Sequence, residues 1–184
     1  ESPLGAGAVA GSGFPLDRQW VSRELEFDAP MQNSLDATAS RDFLMETASA
    51  LAILTVHLSR IGEEIVLWSS YEFGFVSLSD EFSTSSSMMP QKKNPDVAEL
   101  IRGKTGRLYG NLVAVLTAMK GLPLTYNSDM QEDKEPWFDS VDTLDAILTV
   151  LPPMLGSLTF RVERMRRAAG ENFATATDLA DYLV

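Results

Sequence analysis

Apolar residues recur along three long stretches of this chain in alternating steps of three and four, a spacing that predicts three long helices. The first runs from about Arg41 to Ser69, with Leu44, Leu51, Leu54, Leu58, Ile61, Ile65 and Trp68 in series and Thr47 completing the set. A repeat of about 3.5 residues keeps one narrow seam facing a partner helix and predicts left-handed supercoiling. The second runs from Pro95 to about Lys120, where Gly121 and Pro123 stop it, with Leu100, Leu108, Leu112, Val115 and Met119 as broader packing. Within it Gly106, Gly110, Ala114 and Ala118 form a ridge of small side chains. Glycine costs about 1 kcal/mol against alanine in a helix, so the ridge predicts close approach of another helix. The third starts at Pro136 and carries Trp137, Val141, Leu144, Leu148, Leu151, Leu155, Leu158, Val162 and Met165. Pro152 and Pro153 predict a kink in its middle, and Arg161 to Arg167 place cations towards its C-terminal end, before Gly170 stops it. Shorter helices are expected from Asp17 to about Phe27, with Asp17 as cap and Trp20, Val21 and Leu25 on one face, and from near Thr177.

Helices of roughly 26 to 30 residues would each be ~40 Å long. Such seams cannot be covered within 184 residues, so the expected fold is all-α: an elongated bundle of long helices completed by other subunits or by further sequence. At 45% hydrophobic the chain can bury a sizeable core, and no apolar run approaches the ~20 residues of a membrane span, so a soluble protein is expected. A net charge of -11 argues against nucleic acid as a partner. The absence of cysteine and a single histidine argue against a disulfide framework and a metal site. His57 lies beside the first seam and is expected as an ordinary helix residue. Residues 4–13 contain Gly5, Gly7 and Gly11 without the preceding strand that a dinucleotide fingerprint needs, and are expected as a tight loop. The aromatics of Phe73-Gly74-Phe75-Val76 are expected to pack a loop. The chain opens at Glu1 and ends on the apolar run Leu179 to Val184, so an internal piece of a longer polypeptide is expected.

The candidate chemistry sits in Ser83-Thr84-Ser85-Ser86-Ser87-Met88-Met89-Pro90-Gln91-Lys92-Lys93-Asn94-Pro95. No carboxylate lies between Glu81 and Asp96, although the chain has 26 acidic residues against 15 basic. A hydroxyl-rich segment with two lysines, leading into a helix with Asn94 as expected N-cap and Pro95 as first residue, suits an anion, because free N–H groups and the helix dipole favour negative charge there.

This stretch resembles the signature loop of the fumarase/aspartase superfamily, Gly-Ser-Ser-x-Met-Pro-x-Lys-x-Asn, with Ser85 standing where glycine is usual. Were a positive φ needed at that position, serine would be strained. Gln91-Lys92-Lys93-Asn94-Pro95-Asp96 is similar to the argininosuccinate lyase branch, which includes the lens δ-crystallins. So is Tyr126-Asn127-Ser128-Asp129-Met130-Gln131-Glu132-Asp133-Lys134-Glu135, otherwise readable as a solvated loop. The likeness extends to Asn33-Ser34-Leu35-Asp36 and Arg41-Asp42. It implies residues 1–170 as part of a central helical domain, with signature loop 83–95, and 171–184 as the start of a small C-terminal helical domain. It implies a cytoplasmic homotetramer built through the long helices, with sites where three subunits meet, and no cofactor.

The resemblance also implies a reaction: argininosuccinate is split into arginine and fumarate, a step of arginine biosynthesis and the urea cycle. A proton leaves the carbon beside a carboxylate, and the aci-carboxylate that develops needs fixed cations and N–H donors. It assigns Ser86 as the proton acceptor, with Lys92 and the following helix as candidates to stabilise its alkoxide. Glu99 would assist a histidine that protonates the leaving nitrogen, and Asn94, Tyr126, Gln131 and Lys134 would bind substrate. Read alone, Glu99 is equally a carboxylate at a helix N-terminus. The Thr-x-x-His-x-x-x-Ala-Gln-Pro region of the family's histidine does not occur here, so this chain by itself is expected to be inactive. Rival readings are a crystallin-like structural protein, another fumarate-forming lyase such as adenylosuccinate lyase, and a plain helical oligomerisation module.

Overall fold

A computed structural model describes residues 1–184 and gives an all-α protein with three long helices, as the spacing predicts. In order these are α1 (Arg18–Glu24), α2 (Ser34–Ala39), α3 (Asp42–Ser69), α4 (Asp96–Met119), α5 (Lys134–Gly156), α6 (Val162–Gly170) and α7 (Ala176–Leu183). Four two-residue strands form two antiparallel pairs: β1 (Val76–Ser77) with β4 (Thr159–Phe160), and β2 (Thr84–Ser85) with β3 (Lys93–Asn94). No helix is long and apolar enough to cross a membrane. The chain divides into two compact units, Glu1–Ala52 with Leu108–Val141, and Ile53–Arg107 with Asp142–Val184.

In the first unit the glycine-rich segment is a loop whose backbone only glycine accommodates readily. Gly7 adopts φ 65, and a Cβ there would meet the carbonyl oxygen of Gly11 at 2.1 Å. Asp17 caps α1, its carboxylate accepting the Trp20 N–H at 2.9 Å. The apolar face expected on α1 is instead exposed: Trp20 and Leu25 lie open, and Ser22 is the buried residue, donating to the Phe27 carbonyl.

The seam of α3 keeps its 3.5-residue rhythm and its expected Leu44, Leu58 and Ile65, but its other buried positions differ. Leu44, Ala48, Ala52, Thr55, Leu58, Gly62 and Ile65 are buried, whereas Thr47 and Leu54 are exposed. Small side chains occupy the seam because a neighbouring helix comes close: a Cβ at Gly62 would stand 2.8 Å from the Ala98 carbonyl oxygen of α4. His57 is exposed. The ridge of Gly106, Gly110 and Ala114 lies on an exposed face of α4, with open space beyond both glycines.

The third helix is not one kinked rod. Pro152 and Pro153 lie inside α5, which ends at Gly156; the chain then forms β4 and starts a separate helix, α6. Two missing N–H donors weaken the last turns, and pairing of Val76–Ser77 with Thr159–Phe160 supplies other backbone partners. The run from Arg161 to Arg167 therefore belongs to α6, with Arg161 as its N-cap and Arg167 in its last turn. Phe73 and Phe75 pack edge to face at 5.4 Å beside Gly74, as the loop reading expects.

Candidate functional site

The hydroxyl-rich stretch folds as a hairpin. Thr84 pairs with Asn94 and Ser85 with Lys93 across β2 and β3, and the Ser86 N–H donates to the Lys92 carbonyl at 3.4 Å. At the tip the Lys92 N–H donates to the Met89 carbonyl at 3.0 Å. Half-buried Ser86 accepts on Oγ from the backbone N–H groups of both Met88 and Met89, each at 3.2 Å. This turn lets a serine hydroxyl replace a backbone acceptor, and it surrounds one oxygen with two fixed donors. Ser85 sits in extended strand and is not among the residues with positive φ, so serine in the glycine position carries no backbone strain.

Asn94 does not cap α4. It is the last residue of β3, and the first helical hydrogen bond runs from the Glu99 N–H to the Pro95 carbonyl at 3.0 Å. The helix therefore begins one residue later than the Asn-Pro signal suggests, because hairpin pairing claims Asn94 first. The two lysines differ. Lys93 is ion-paired with Asp80, outside the carboxylate-free stretch, whereas Lys92 has no ion-pair partner. Lys92, Asn94 and Glu99 line a single open cavity of about 1310 Å³. Behind Glu99, Arg102 bonds Glu63 at 2.5 Å and is held above its usual pKa chiefly by that hydrogen bond, against some desolvation and with the Glu99 charge adding.

Tyr126, Gln131 and Lys134 belong to the other unit and come together on an anchored segment rather than a free loop. Thr125 adopts φ 76, and Asn127 bridges back to the carbonyls of Pro123 and Thr125 at 3.2 and 3.5 Å. Residues Ser128–Asp133 form a 3-10 helix pinned by Met130, which is 1% exposed. Asp133, 5% exposed, accepts from Arg41 Nε at 2.7 Å and from Lys134 Nζ at 2.8 Å. Burial alone would raise the Asp133 carboxyl, but hydrogen bonds from Lys134 and Arg41, and their charges, outweigh it and hold the group below the usual carboxylate range. Tyr126 and Gln131 are exposed, and the Lys134 side chain remains more than half exposed.

Two features escaped the sequence reading. The Met88 and Met89 N–H groups are invisible as side chains, although a serine two and three residues ahead of free N–H groups is a known turn signal. Asp133 lay unremarked within an acidic run, and only its pairing with Arg41, 92 positions away, distinguishes it. No group of three or more His, Cys, Asp or Glu side chains is placed to hold a metal ion.

The sequence model of a lyase family matches residues 1–110. Argininosuccinate lyase of Symbiobacterium thermophilum is 60% identical over 183 residues, covering 100% of this chain and 40% of that protein. The enzyme of the same name from Pelotomaculum thermopropionicum is 62% identical, covering 99% and 40%. The chain thus spans about 40% of the length of the curated relatives it matches. Among solved structures, a variant of EDDS lyase with bound fumarate superposes with a TM-score of 0.89 at 38% identity, over 99% of this chain and 36% of that one. A fumarate lyase:delta crystallin from Brucella melitensis, at 23% identity and TM-score 0.83 over 98% and 42%, shares the fold.

Proposed function

Taking as premise that the chain belongs to this lyase family, we propose that it carries the proton-abstracting part of an argininosuccinate lyase, which splits argininosuccinate into arginine and fumarate. The observation that carries the reading is the Ser86 oxygen held between two backbone N–H groups at 3.2 Å. A serine hydroxyl is a weak base. Its alkoxide becomes accessible only where donors are already aimed at the oxygen, since no reorganisation is then needed when charge appears. In related oxyanion sites each such donor contributes ~3 kcal/mol. These two N–H groups serve the alkoxide in place of the ammonium singled out from sequence. Lys92 is then left for the aci-carboxylate, a charge that grows as the proton departs.

Glu99 and Asn94 line the same cavity as Lys92 and suit the leaving-group and carboxylate ends of the substrate. Tyr126, Gln131 and Lys134 bind the substrate in this reading, with Lys134 offering its ammonium to a carboxylate. The exposed apolar side chains of the long helices, such as Ile53, Val113 and Leu148, support assembly as a homotetramer, with sites completed by other subunits.

The test uses the complete protein. Release of fumarate from argininosuccinate is followed by ultraviolet absorbance, with Ser86→Ala beside the parent. The expected result is loss of turnover by at least about a hundredfold with substrate binding retained. Undiminished turnover in the variant would remove Ser86 from the chemistry.

A further inference from the structure

From its N-cap to its last turn, α6 distributes its charge by face. Arg161, Arg164 and Arg167 recur every third residue, whereas Arg166 lies apart and is paired with Glu163 at 3.0 Å. Those three arginines line the same cavity as Lys92, Lys93, Asn94 and Glu99. They are not equivalent. Arg164 is spent on structure: its Nε donates to the Phe73 carbonyl at 3.1 Å and its terminal nitrogen to the Glu72 carbonyl at 3.0 Å, tying the loop after α3 to α6. Arg161 is positioned by its backbone, whose N–H donates to the Phe75 carbonyl at 2.8 Å and prolongs the β1–β4 pairing. Neither the Arg161 nor the Arg167 guanidinium has an acceptor in the chain.

With Lys93 matched by Asp80, the cavity wall keeps three unpaired cations, Lys92, Arg161 and Arg167, against two acids, Glu72 and Glu99. In a chain of net charge -11 this is a local reversal of sign. Like charges lining one cavity repel one another until an anion joins them, and they concentrate anions from solution. A guanidinium fork matches the two oxygens of a carboxylate, whereas an ammonium acts as a point charge.

We propose that Arg161 and Arg167 form a second carboxylate subsite of this cavity, so that one carboxylate of a di- or tricarboxylate meets these arginines while another meets Lys92. For the identity of its natural ligand the proposal rests on the lyase reading above; the subsite itself does not.

The test is calorimetric titration of the complete protein with fumarate and with succinate, at low and high salt. Three proteins are compared: the parent, Arg161→Gln/Arg167→Gln, and Arg166→Gln as a control that removes one arginine charge away from the cavity. Arg161 and Arg167 are exposed, so their replacement spares the core, and Arg164 is left alone because it holds two carbonyls. The double variant is expected to bind both dicarboxylates roughly three- to tenfold more weakly and with a flatter salt dependence, while Arg166→Gln matches the parent. In turnover the double variant should raise KM with kcat maintained. Unchanged affinity in the double variant, or equal weakening in Arg166→Gln, overturns the proposal. Binding is read without catalysis, so the two readings fail separately. A protein that binds dicarboxylates through these arginines yet releases no fumarate from argininosuccinate sinks only the lyase reading.

Discussion

Arg41 and Asp133 stand 92 residues apart in sequence and 2.7 Å apart in space, Nε to Oδ2. Arg41 also donates to the Thr38 and Ser40 carbonyls, so the residue entering α3 fixes the residue that precedes α5. The second oxygen of Asp133 accepts from Lys134. Replacing Asp133 with Asn keeps the shape and removes the charge, leaving a largely buried guanidinium without a counter-ion. We expect Asp133→Asn to lose ~2–4 kcal/mol of stability in urea unfolding. In the complete protein it should also raise KM more than it lowers kcat, because Lys134 loses the carboxylate that orients it.

The same pair sets a pH dependence. The Asp133 carboxyl titrates below its unfolded value of about 3.9, so its stabilisation is fully present above that value and is lost as pH falls through the lower folded pKa. Urea unfolding at pH 7 and at about pH 3 should therefore show the gap between parent and Asp133→Asn narrowing in acid. A gap that stayed constant would mean that the charge of Asp133 contributes nothing.

How much of this was legible in the sequence depends on range. Local signals read well: Asp17 capping α1, the bounds of α3 and the glycine loop follow from a few adjacent residues. The rhythm of the α3 seam read well too, with Leu44, Leu58 and Ile65, but only part of its membership did. Counting apolar residues selects Leu51 and Leu54, whereas a close helix neighbour selects Ala48, Ala52, Thr55 and Gly62. The break after α5 was hidden because Leu158, Val162 and Met165 continue the four-and-three spacing by coincidence across β4. Strand pairs of two residues, joining Val76 to Phe160, leave no periodicity to detect. In the candidate site the side chains were legible, but the Met88 and Met89 donors and the Asn94 strand register were not, since both depend on backbone geometry.

Two helical glycines should respond in opposite senses. At Gly62 a Cβ would press on the Ala98 carbonyl at 2.8 Å and approach the Arg102 nitrogen at 3.3 Å, both backbone atoms that cannot step aside. Gly62→Ala should therefore lose ~1–3 kcal/mol despite its better helix propensity. At Gly106 nothing lies within 4 Å, and Gly106→Ala should stabilise this chain by up to ~1 kcal/mol. Thermal melts of both variants decide it. A loss at Gly106 confined to the complete protein would reveal a partner helix packed on the exposed ridge.

Thr125 holds φ at 76, in the left-handed region that a β-branched residue avoids, immediately before Tyr126. Such a conformation costs on the order of 1–3 kcal/mol and persists only where surrounding contacts over-determine it. Those contacts are visible: Asn127 binds the carbonyls on both sides of the turn, and Met130 anchors the helix that follows. Glycine meets the same dihedral without the steric penalty, yet it adds freedom to the unfolded chain, so the two effects oppose. With the strain the larger, Thr125→Gly is expected to gain ~1 kcal/mol in urea unfolding. If the strained turn also aims Tyr126 at the substrate, the same variant of the complete protein should raise KM several-fold while becoming more stable. Greater stability with unchanged KM would separate the strain from binding and return Tyr126 to the role of an exposed surface residue.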